Sequence, residues 1–168
     1  MKVLETPRLV LRRLVLEDAP FVLELVNDTA WLQYIGDKHV HNLEDARNYI
    51  RKGPLDMYAR HGFGLYMVTL RTGTRIGMCG LIKRDGLEDV DLGFALLARY
   101  RGRGYAQEAA AAVLDYGRKA LGLKRIVAIT SPDNLRSIQV LENIGFVYEQ
   151  TLTLAGQVKE TKLFAHIY

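Results

Sequence analysis

Apolar and polar positions along the chain follow two periods. Alternation with a period of two is typical of strands, whereas apolar residues three and four positions apart indicate helices. In the first third, these patterns predict a strand at residues 8–14 and a helix that starts at Asp18. A second helix is predicted from Asn42 up to Gly53-Pro54, followed by a short helical turn at 55–60. The stretch from Asn27 to His41 fits neither period. We therefore expect it to be irregular.

The middle of the chain predicts strands joined by short turns. Two strands flank the turn Arg71-Thr72-Gly73-Thr74, and Asp85-Gly86 leads into a third strand. Their predicted bounds are Gly64 to Leu70, Arg75 to Arg84 and Val90 to Leu97. Because the connections are short, we expect the three strands to be antiparallel.

The last part predicts a crossover and then a hairpin. A helix from Gly104 to Leu121 separates the third strand from the apolar run Arg125 to Thr130, so these two strands should be parallel. A short helix from Asn134 to Gly145 comes next, and the hairpin consists of Phe146 to Leu154 and Lys159 to Tyr168. The pattern predicts an α+β fold with one mixed, mostly antiparallel sheet of about seven strands and helices on both faces.

Length and composition limit the class of protein. The 168 residues, 49% of them hydrophobic, suit a single domain spanning 1–168. The apolar runs are too short to cross a bilayer and the first residues lack a signal-peptide core, so we expect a cytoplasmic protein with no membrane contact. The net charge of +4 is dispersed, which does not indicate a nucleic-acid partner, and the four histidines show no metal-ligand spacing.

The run from Tyr100 to Ala110 has the chemistry of an anion site. It joins a buried strand to a helix through Gly102 and Gly104, which lack a Cβ that would obstruct an oxygen. The first turn of a helix presents unpaired N–H groups and a partial positive charge, and Arg101 and Arg103 add further charge. The alternative is an ordinary tight loop.

Two familiar phosphate sites are excluded at this turn. The run lacks the Gly-Lys-Ser/Thr ending of a P-loop. It also lacks the third glycine of the dinucleotide-binding fingerprint, because Gln107 occupies that position. ATP or NAD bound in those ways is therefore not expected.

Three blocks of the sequence together resemble one family. Arg101-x-x-Gly104-x-Ala106 after a strand resembles the acetyl-CoA pyrophosphate motif of the GCN5-related N-acetyltransferase (GNAT) superfamily. Asn134 to Phe146 resembles that superfamily's later segment, in which an Asn opens a helix that ends in Gly-Phe. Glu5 to Arg12 and Ser137 are similar to the branch that contains the ribosomal-protein alanine N-acetyltransferases. The resemblance covers nearly the whole chain.

The resemblance implies that acetyl-CoA is the cofactor, and it implies which residues bind it. The pantetheine arm would pair with the backbone of one strand, at Phe94, Ala95 and Leu96. The diphosphate would lie on the glycine turn, at Arg101, Gly102, Arg103, Gly104, Tyr105 and Ala106. Asn134 and Ser137 would lie near the arm and the thiol, although Asn134 also suits a helix N-cap.

The resemblance also implies direct acetyl transfer without a covalent enzyme intermediate. Many members have a tyrosine that protonates the thiolate, but Leu141 occupies that position here. Ser137 matches a serine of the ribosomal-protein branch, so we assign it the thiolate-facing role; a serine on the helix surface is the alternative. For the base, a carboxylate that orders a water would suffice, and Asp91 and Glu88 are the candidates. For Asp91 the alternative is a solvated acid at a strand edge.

The acceptor is less defined than the donor. Trp31, Tyr34 and Tyr66 are candidates for lining the acceptor cleft, and core packing is the alternative for all three. The expected activity is N-acetylation of a primary amine, with a protein N-terminal α-amino group as one acceptor. A small-molecule amine such as a metabolite, polyamine or antibiotic is an alternative, as is a non-catalytic acyl-CoA-binding sensor domain, because Leu141 replaces the tyrosine. The alternation in the last strands is compatible with a homodimer.

Overall fold

The computed structural model describes residues 1–167. The strands are β1 Lys2–Glu5, β2 Leu9–Arg13, β3 Leu65–Leu70, β4 Arg75–Ile82, β5 Asp91–Leu96, β6 Arg125–Thr130, β7 Val147–Leu152 and β8 Thr161–Ile167. The helices are α1 Ala19–Val26, α2 Thr29–Tyr34, α3 Leu43–Ile50, α4 Asp56–His61, α5 Tyr105–Lys119 and α6 Leu135–Asn143. Within these residues, no helix combines the length and apolarity that crossing a bilayer requires.

All eight strands form one sheet, in the order β1-β2-β3-β4-β5-β6-β8-β7. Every neighbouring pair is antiparallel except β5 and β6, which are parallel. The predicted α+β fold with a mixed, mostly antiparallel sheet is thereby confirmed. The additional strand is β1, which pairs with β2 from Lys2 opposite Arg12. Its four residues are too few for alternation to be recognised in the sequence.

Two local predictions were wrong, and one extends beyond the described residues. The stretch from Asn27 to His41 contains α2, which Asp28 caps by accepting a hydrogen bond from the N–H of Ala30 at 3.1 Å. Gly53-Pro54 does not end a helix, because the chain passes through a π-helical turn at Arg51–Leu55 directly into α4. The predicted last strand runs to Tyr168, which lies outside the described residues.

Helices cover β5 on both faces. Leu92 and Leu96 pack in a core cluster with Ala109 and Val113 of α5. Because side chains alternate along a strand, Asp91 and Ala95 point to the other face. Ala95 packs there in a second cluster, whose buried residues on α1 and α3 are Ala19, Val22, Leu25, Val26, Ala46 and Ile50.

The strands β5 and β6 separate soon after they meet. Within residues 1–167 their register has one pair, Asp91 with Val127, and the N–H of Val127 donates to Val90 O at 3.0 Å. β6 continues alongside β8 as far as Thr130. The later part of β5 therefore has a strand partner, β4, on one edge only. Its other edge has no strand partner within residues 1–167, and β5 ends shortly before α5 begins. We call the space beside this unpaired edge, between β5 and β6, the gap.

Candidate active site

The turn between β5 and α5 carries a run of unpaired backbone donors. Gly102 and Gly104 have φ angles of 77° and 82°, in the left-handed region that favours glycine. Gly104 caps α5 without any side-chain hydrogen bond. From Gly102 to Ala106, no backbone N–H donates to an acceptor in the described part of the chain. Together with the helix dipole, these groups form a site suited to an anion.

The three arginines near this turn differ in their partners. Arg101 donates through Nη2 to Asp28 Oδ2 at 2.7 Å and to Leu96 O at 2.9 Å. Arg99 donates to Glu24 Oε2 at 3.2 Å. Arg103 is exposed, and its side chain forms no ion pair with any residue from 1 to 167. Arg103 is therefore available to an anion, whereas Arg101 links the turn to the end of β5 and to the start of α2.

The three β5 residues that were predicted to bind the pantetheine arm lie along the gap. Phe94, Ala95 and Leu96 pair with β4 on one edge. The carbonyl of Leu96 already accepts the hydrogen bond from Arg101. Main-chain groups alternate in direction along a strand. Those of Ala95 point toward β4, whereas those of Phe94 face the gap and offer the remaining positions for backbone pairing.

The start of α6 brings two predicted residues together. Asn134 caps the helix, because its Oδ1 accepts from the N–H of Ser137 at 3.3 Å. Ser137 is half-buried, and its hydroxyl has no hydrogen-bond partner among the described residues. Leu141, at the position of the tyrosine, is only 1% exposed and packs in the core. Ser137 is the residue of this helix whose hydroxyl remains available.

The two candidate bases lie in different environments. Asp91 is 1% exposed and forms a two-point ion pair with Arg84, with Nε to Oδ1 at 3.0 Å and Nη2 to Oδ2 at 3.1 Å. Burial raises the pKa of Asp91, and the positive charge of Arg84 opposes this shift. Glu88 is exposed in the connection between β4 and β5.

Sequence reasoning missed the groups that surround Arg84. Burial raises the pKa of Tyr49 on α3 to about 12, and the charge of Arg84 opposes that shift. Desolvation lowers the pKa of Lys38, and the charge of Arg84 lowers it further. These three residues come from separate segments, so no local spacing pointed to them. Tyr49 packs against the cluster formed by α1 and α3, on the face of the sheet to which Asp91 also points.

The predicted acceptor aromatics do not form one group. Trp31 is 5% exposed and packs with α1 and α3, and its Nε1 has no hydrogen-bond partner among the described residues. Tyr34, at the end of α2, is half-buried. Tyr66 is 1% exposed and lies on the α5 face, stacked on Tyr58 at 5.7 Å and edge-on to Tyr116. Its geometry matches core packing.

Solved structures with this fold include acetyltransferases. The chain is 27% identical to an acetyltransferase from Agrobacterium tumefaciens str. C58, with a TM-score of 0.85 that covers 100% of this chain and 95% of that one. RimL, a ribosomal L7/L12 alpha-N-protein acetyltransferase solved in complex with coenzyme A, shares the fold at 19% identity, with a TM-score of 0.85 over 99% of this chain and 98% of RimL.

Sequence comparison leads to the same class of enzyme. The uncharacterized N-acetyltransferase YnaD from Bacillus subtilis (strain 168) is 33% identical over 141 residues, which cover 83% of this chain and 79% of YnaD. The family profile for the acetyltransferase (GNAT) domain matches residues 8–147, including β5, the glycine turn and α6. This chain therefore belongs to the GNAT acetyltransferase family.

Proposed function

We propose that this enzyme transfers an acetyl group from acetyl-CoA to a primary amine, and that a protein N-terminal α-amino group is the acceptor. The observation that carries the proposal is the run of unpaired N–H groups from Gly102 to Ala106 at the N-terminus of α5. These groups can satisfy several oxygens of a diphosphate at once. The exposed guanidinium of Arg103 adds a positive charge.

The gap between β5 and β6 fits the rest of the donor. A pantetheine arm contains amide groups, which need hydrogen-bond partners when they leave water. The main chain of Phe94 supplies such partners on the open edge of β5. The gap begins where Asp91 and Val127 pair, so the acetyl end would lie near the ion pair of Asp91.

Ser137 is the proposed proton relay. The thioester of acetyl-CoA supplies an activated acetyl group and a thiolate leaving group. A serine hydroxyl has a high pKa, so Ser137 suits donating a hydrogen bond or relaying a proton through water better than acting as a strong acid. Its free hydroxyl at the start of α6 fits this role.

An α-amino acceptor makes small demands on the base. Its pKa near 8 means that deprotonation at pH 7 costs about 1 kcal/mol, whereas a lysine side chain would cost about 4.6 kcal/mol. A water ordered by a carboxylate is sufficient for the smaller cost. We assign this role to Asp91, which lies at the start of the gap, with Glu88 as the second candidate.

Incubation with acetyl-CoA and a panel of acceptors tests the proposal. The panel contains peptides with free N-termini, the same peptides with blocked N-termini, polyamines and aminoglycosides, and the readout is release of the free thiol of coenzyme A. We expect turnover only with free N-termini. Turnover with polyamines or aminoglycosides alone would indicate a small-molecule enzyme. Acetyl-CoA binding without turnover on any amine would indicate a non-catalytic acyl-CoA-binding domain.

A further inference from the structure

The connection between β1 and β2 is hydrogen-bonded to the first turn of α5. The hydroxyl of Thr6 and the N–H of Arg8 both donate to Oε2 of Glu108, the latter at 3.0 Å. The Nε of Arg8 donates to Oε1 of the same carboxylate at 2.7 Å. Both oxygens of Glu108 are thus held by a segment about 100 residues away in sequence.

Arg8 also contacts the glycine turn itself. Its Nη1 donates to the carbonyl oxygen of Arg103 at 2.9 Å. Its guanidinium lies over the ring of Tyr105, 4.5 Å from the centroid. A Cβ added to Gly104 would lie 3.2 Å from its Nη2. One side chain therefore contacts Arg103, Gly104 and Tyr105 in succession.

The hydrogen bond to Arg103 fixes the direction of a neighbouring donor. The carbonyl of Arg103 and the N–H of Gly104 belong to one planar, trans peptide unit, so they point in opposite directions. When Arg8 holds the oxygen, the N–H of Gly104 is held pointing away from Arg8. That N–H belongs to the unpaired run that would receive a diphosphate.

The contact with Glu108 removes an electrostatic conflict. A carboxylate in the first turn of α5 would repel a diphosphate at the same helix end. Partial burial alone would raise the pKa of Glu108, but hydrogen bonds from Thr6 and Arg8 lower it below its ordinary value. The charge of Glu108 is thus directed toward Arg8 and compensated by it.

We infer that Thr6, Arg8 and Glu108 are positioning residues for the diphosphate of the donor, which they serve by holding the N–H groups of the Gly104 turn. This inference rests on the proposed use of acetyl-CoA. The inference explains the role of the Glu5 to Arg12 block, because the side chains of Thr6 and Arg8 hold the turn that carries the GNAT motif.

Comparing two donors tests the inference. Acetyl-CoA carries the diphosphate, whereas S-acetylpantetheine lacks it. For Arg8→Gln we expect the dissociation constant of acetyl-CoA to rise about tenfold, while kcat/KM with S-acetylpantetheine stays that of the wild type. Thr6→Ala should act in the same direction, and Thr6→Ser, which keeps the hydroxyl, should restore affinity.

Arg71→Gln is the matched control. Arg71 holds the same connection from the other side, with Nε donating to Pro7 O at 2.9 Å and Nη2 to Thr6 O. Within residues 1–167 it forms no hydrogen bond or ion pair with α5. A rise limited to acetyl-CoA in the Arg8 variant and absent in Arg71→Gln supports the inference. Unchanged acetyl-CoA affinity in Arg8→Gln overturns it, as do equal losses with both donors. Wild-type protein that binds no acetyl-CoA would instead overturn the proposed function.

Discussion

The proposed donor side and the proposed acceptor side of this enzyme are built in different ways. The donor side consists mainly of backbone: the N–H groups from Gly102 to Ala106 and the open edge of β5, both within one short stretch. The proposed acceptor side, around α1 to α3, consists of side chains from separate segments, such as Trp31, Tyr49 and Arg84. A backbone site needs glycines at fixed positions, so it leaves a motif in the sequence. A site made of scattered side chains leaves none.

The two sides are joined by ion pairs. Arg101 in the glycine turn contacts Asp28 at the start of α2, and Arg99 contacts Glu24 of α1. These arginines precede the glycines, and their positive charge is directed toward the acceptor helices. These ion pairs therefore connect α1 and α2 to the glycine turn, which is the proposed site of the diphosphate.

The largest expected effect is the loss of donor binding in Gly104→Val. Valine is strongly disfavoured at a φ of 82°, and its branched side chain would crowd Arg8 and the N–H groups. We expect acetyl-CoA affinity, measured by isothermal titration calorimetry, to fall more than about a hundredfold. Gly73→Val is the control, because Gly73 has a φ of 91° in the turn between β3 and β4. If Gly104→Val binds like the wild type, the diphosphate does not lie on this turn.

The variant Asp18→Asn should destabilise the region around α1, on the proposed acceptor side, without weakening acetyl-CoA binding on the proposed donor side. Asp18 is fully buried at the start of α1, where Arg12 donates to it at 2.8 and 2.9 Å and Arg75 at 2.7 Å. We expect the free energy of unfolding at pH 7 to fall by about 2 kcal/mol in urea titrations. Acetyl-CoA affinity of the folded variant should match that of the wild type. A large loss of affinity would show that the two sides are one cooperative unit.

The same variant has a defined pH dependence. Burial alone would raise the pKa of Asp18, but hydrogen bonds from Arg12, Val15 and Arg75 lower it below the ordinary value. A lowered pKa stabilises the fold above the unfolded-state pKa of about 3.9, and this stabilisation is lost as the pH falls through the folded value. The difference in stability between wild type and Asp18→Asn should therefore persist from pH 8 to about 4 and shrink below that range.

Ser137→Ala tests the proposed proton relay, which would lie between the bound donor and the acceptor. Removing a proton relay should lower kcat about tenfold or more, while the dissociation constant of acetyl-CoA stays unchanged. Ser131→Ala is the matched control, because the hydroxyl of Ser131 donates to Asp133 in the preceding turn. Wild-type turnover in Ser137→Ala would remove Ser137 from the mechanism.

The smallest expected effects distinguish Arg101, which we expect to stabilise the fold, from Arg103, which we expect to bind the donor. Arg101→Gln and Asp28→Asn should each destabilise the fold by about 1 kcal/mol. The double variant should lose less than the sum of the two single losses, because the ion pair is shared, although Arg101 also donates to Leu96 O and Asp28 also caps α2. Arg103→Gln should leave stability unchanged and weaken acetyl-CoA binding about threefold. Additive losses from Arg101 and Asp28 would contradict the link between the turn and α2.

The proposed donor side could be predicted from the sequence because the residues that indicate it are close together in the chain. Arg101, Gly102 and Gly104 lie within one turn, and the order of strand, turn and helix follows from adjacent periodic segments. Most strands and the parallel crossover could be predicted in this way. β1 and α2 could not, since four and six residues are too short to show a period.

The long-range partners could not be predicted from spacing. The ion pair between Arg101 and Asp28 spans 73 positions, and Arg8 and Glu108 are 100 positions apart. Such pairs depend on how the sheet brings distant segments together. The burial of Tyr66 on the α5 face has the same origin, because the side to which a strand residue points depends on which helices cover it.

A crystal structure with bound acetyl-CoA tests the central claim most directly. Backbone N–H groups between Gly102 and Ala106 are expected to donate to the diphosphate, with the pantetheine arm along Phe94 and Ala95 and the thioester sulfur facing the hydroxyl of Ser137. A diphosphate bound elsewhere, with these N–H groups still unpaired, would contradict the assignment of the donor side.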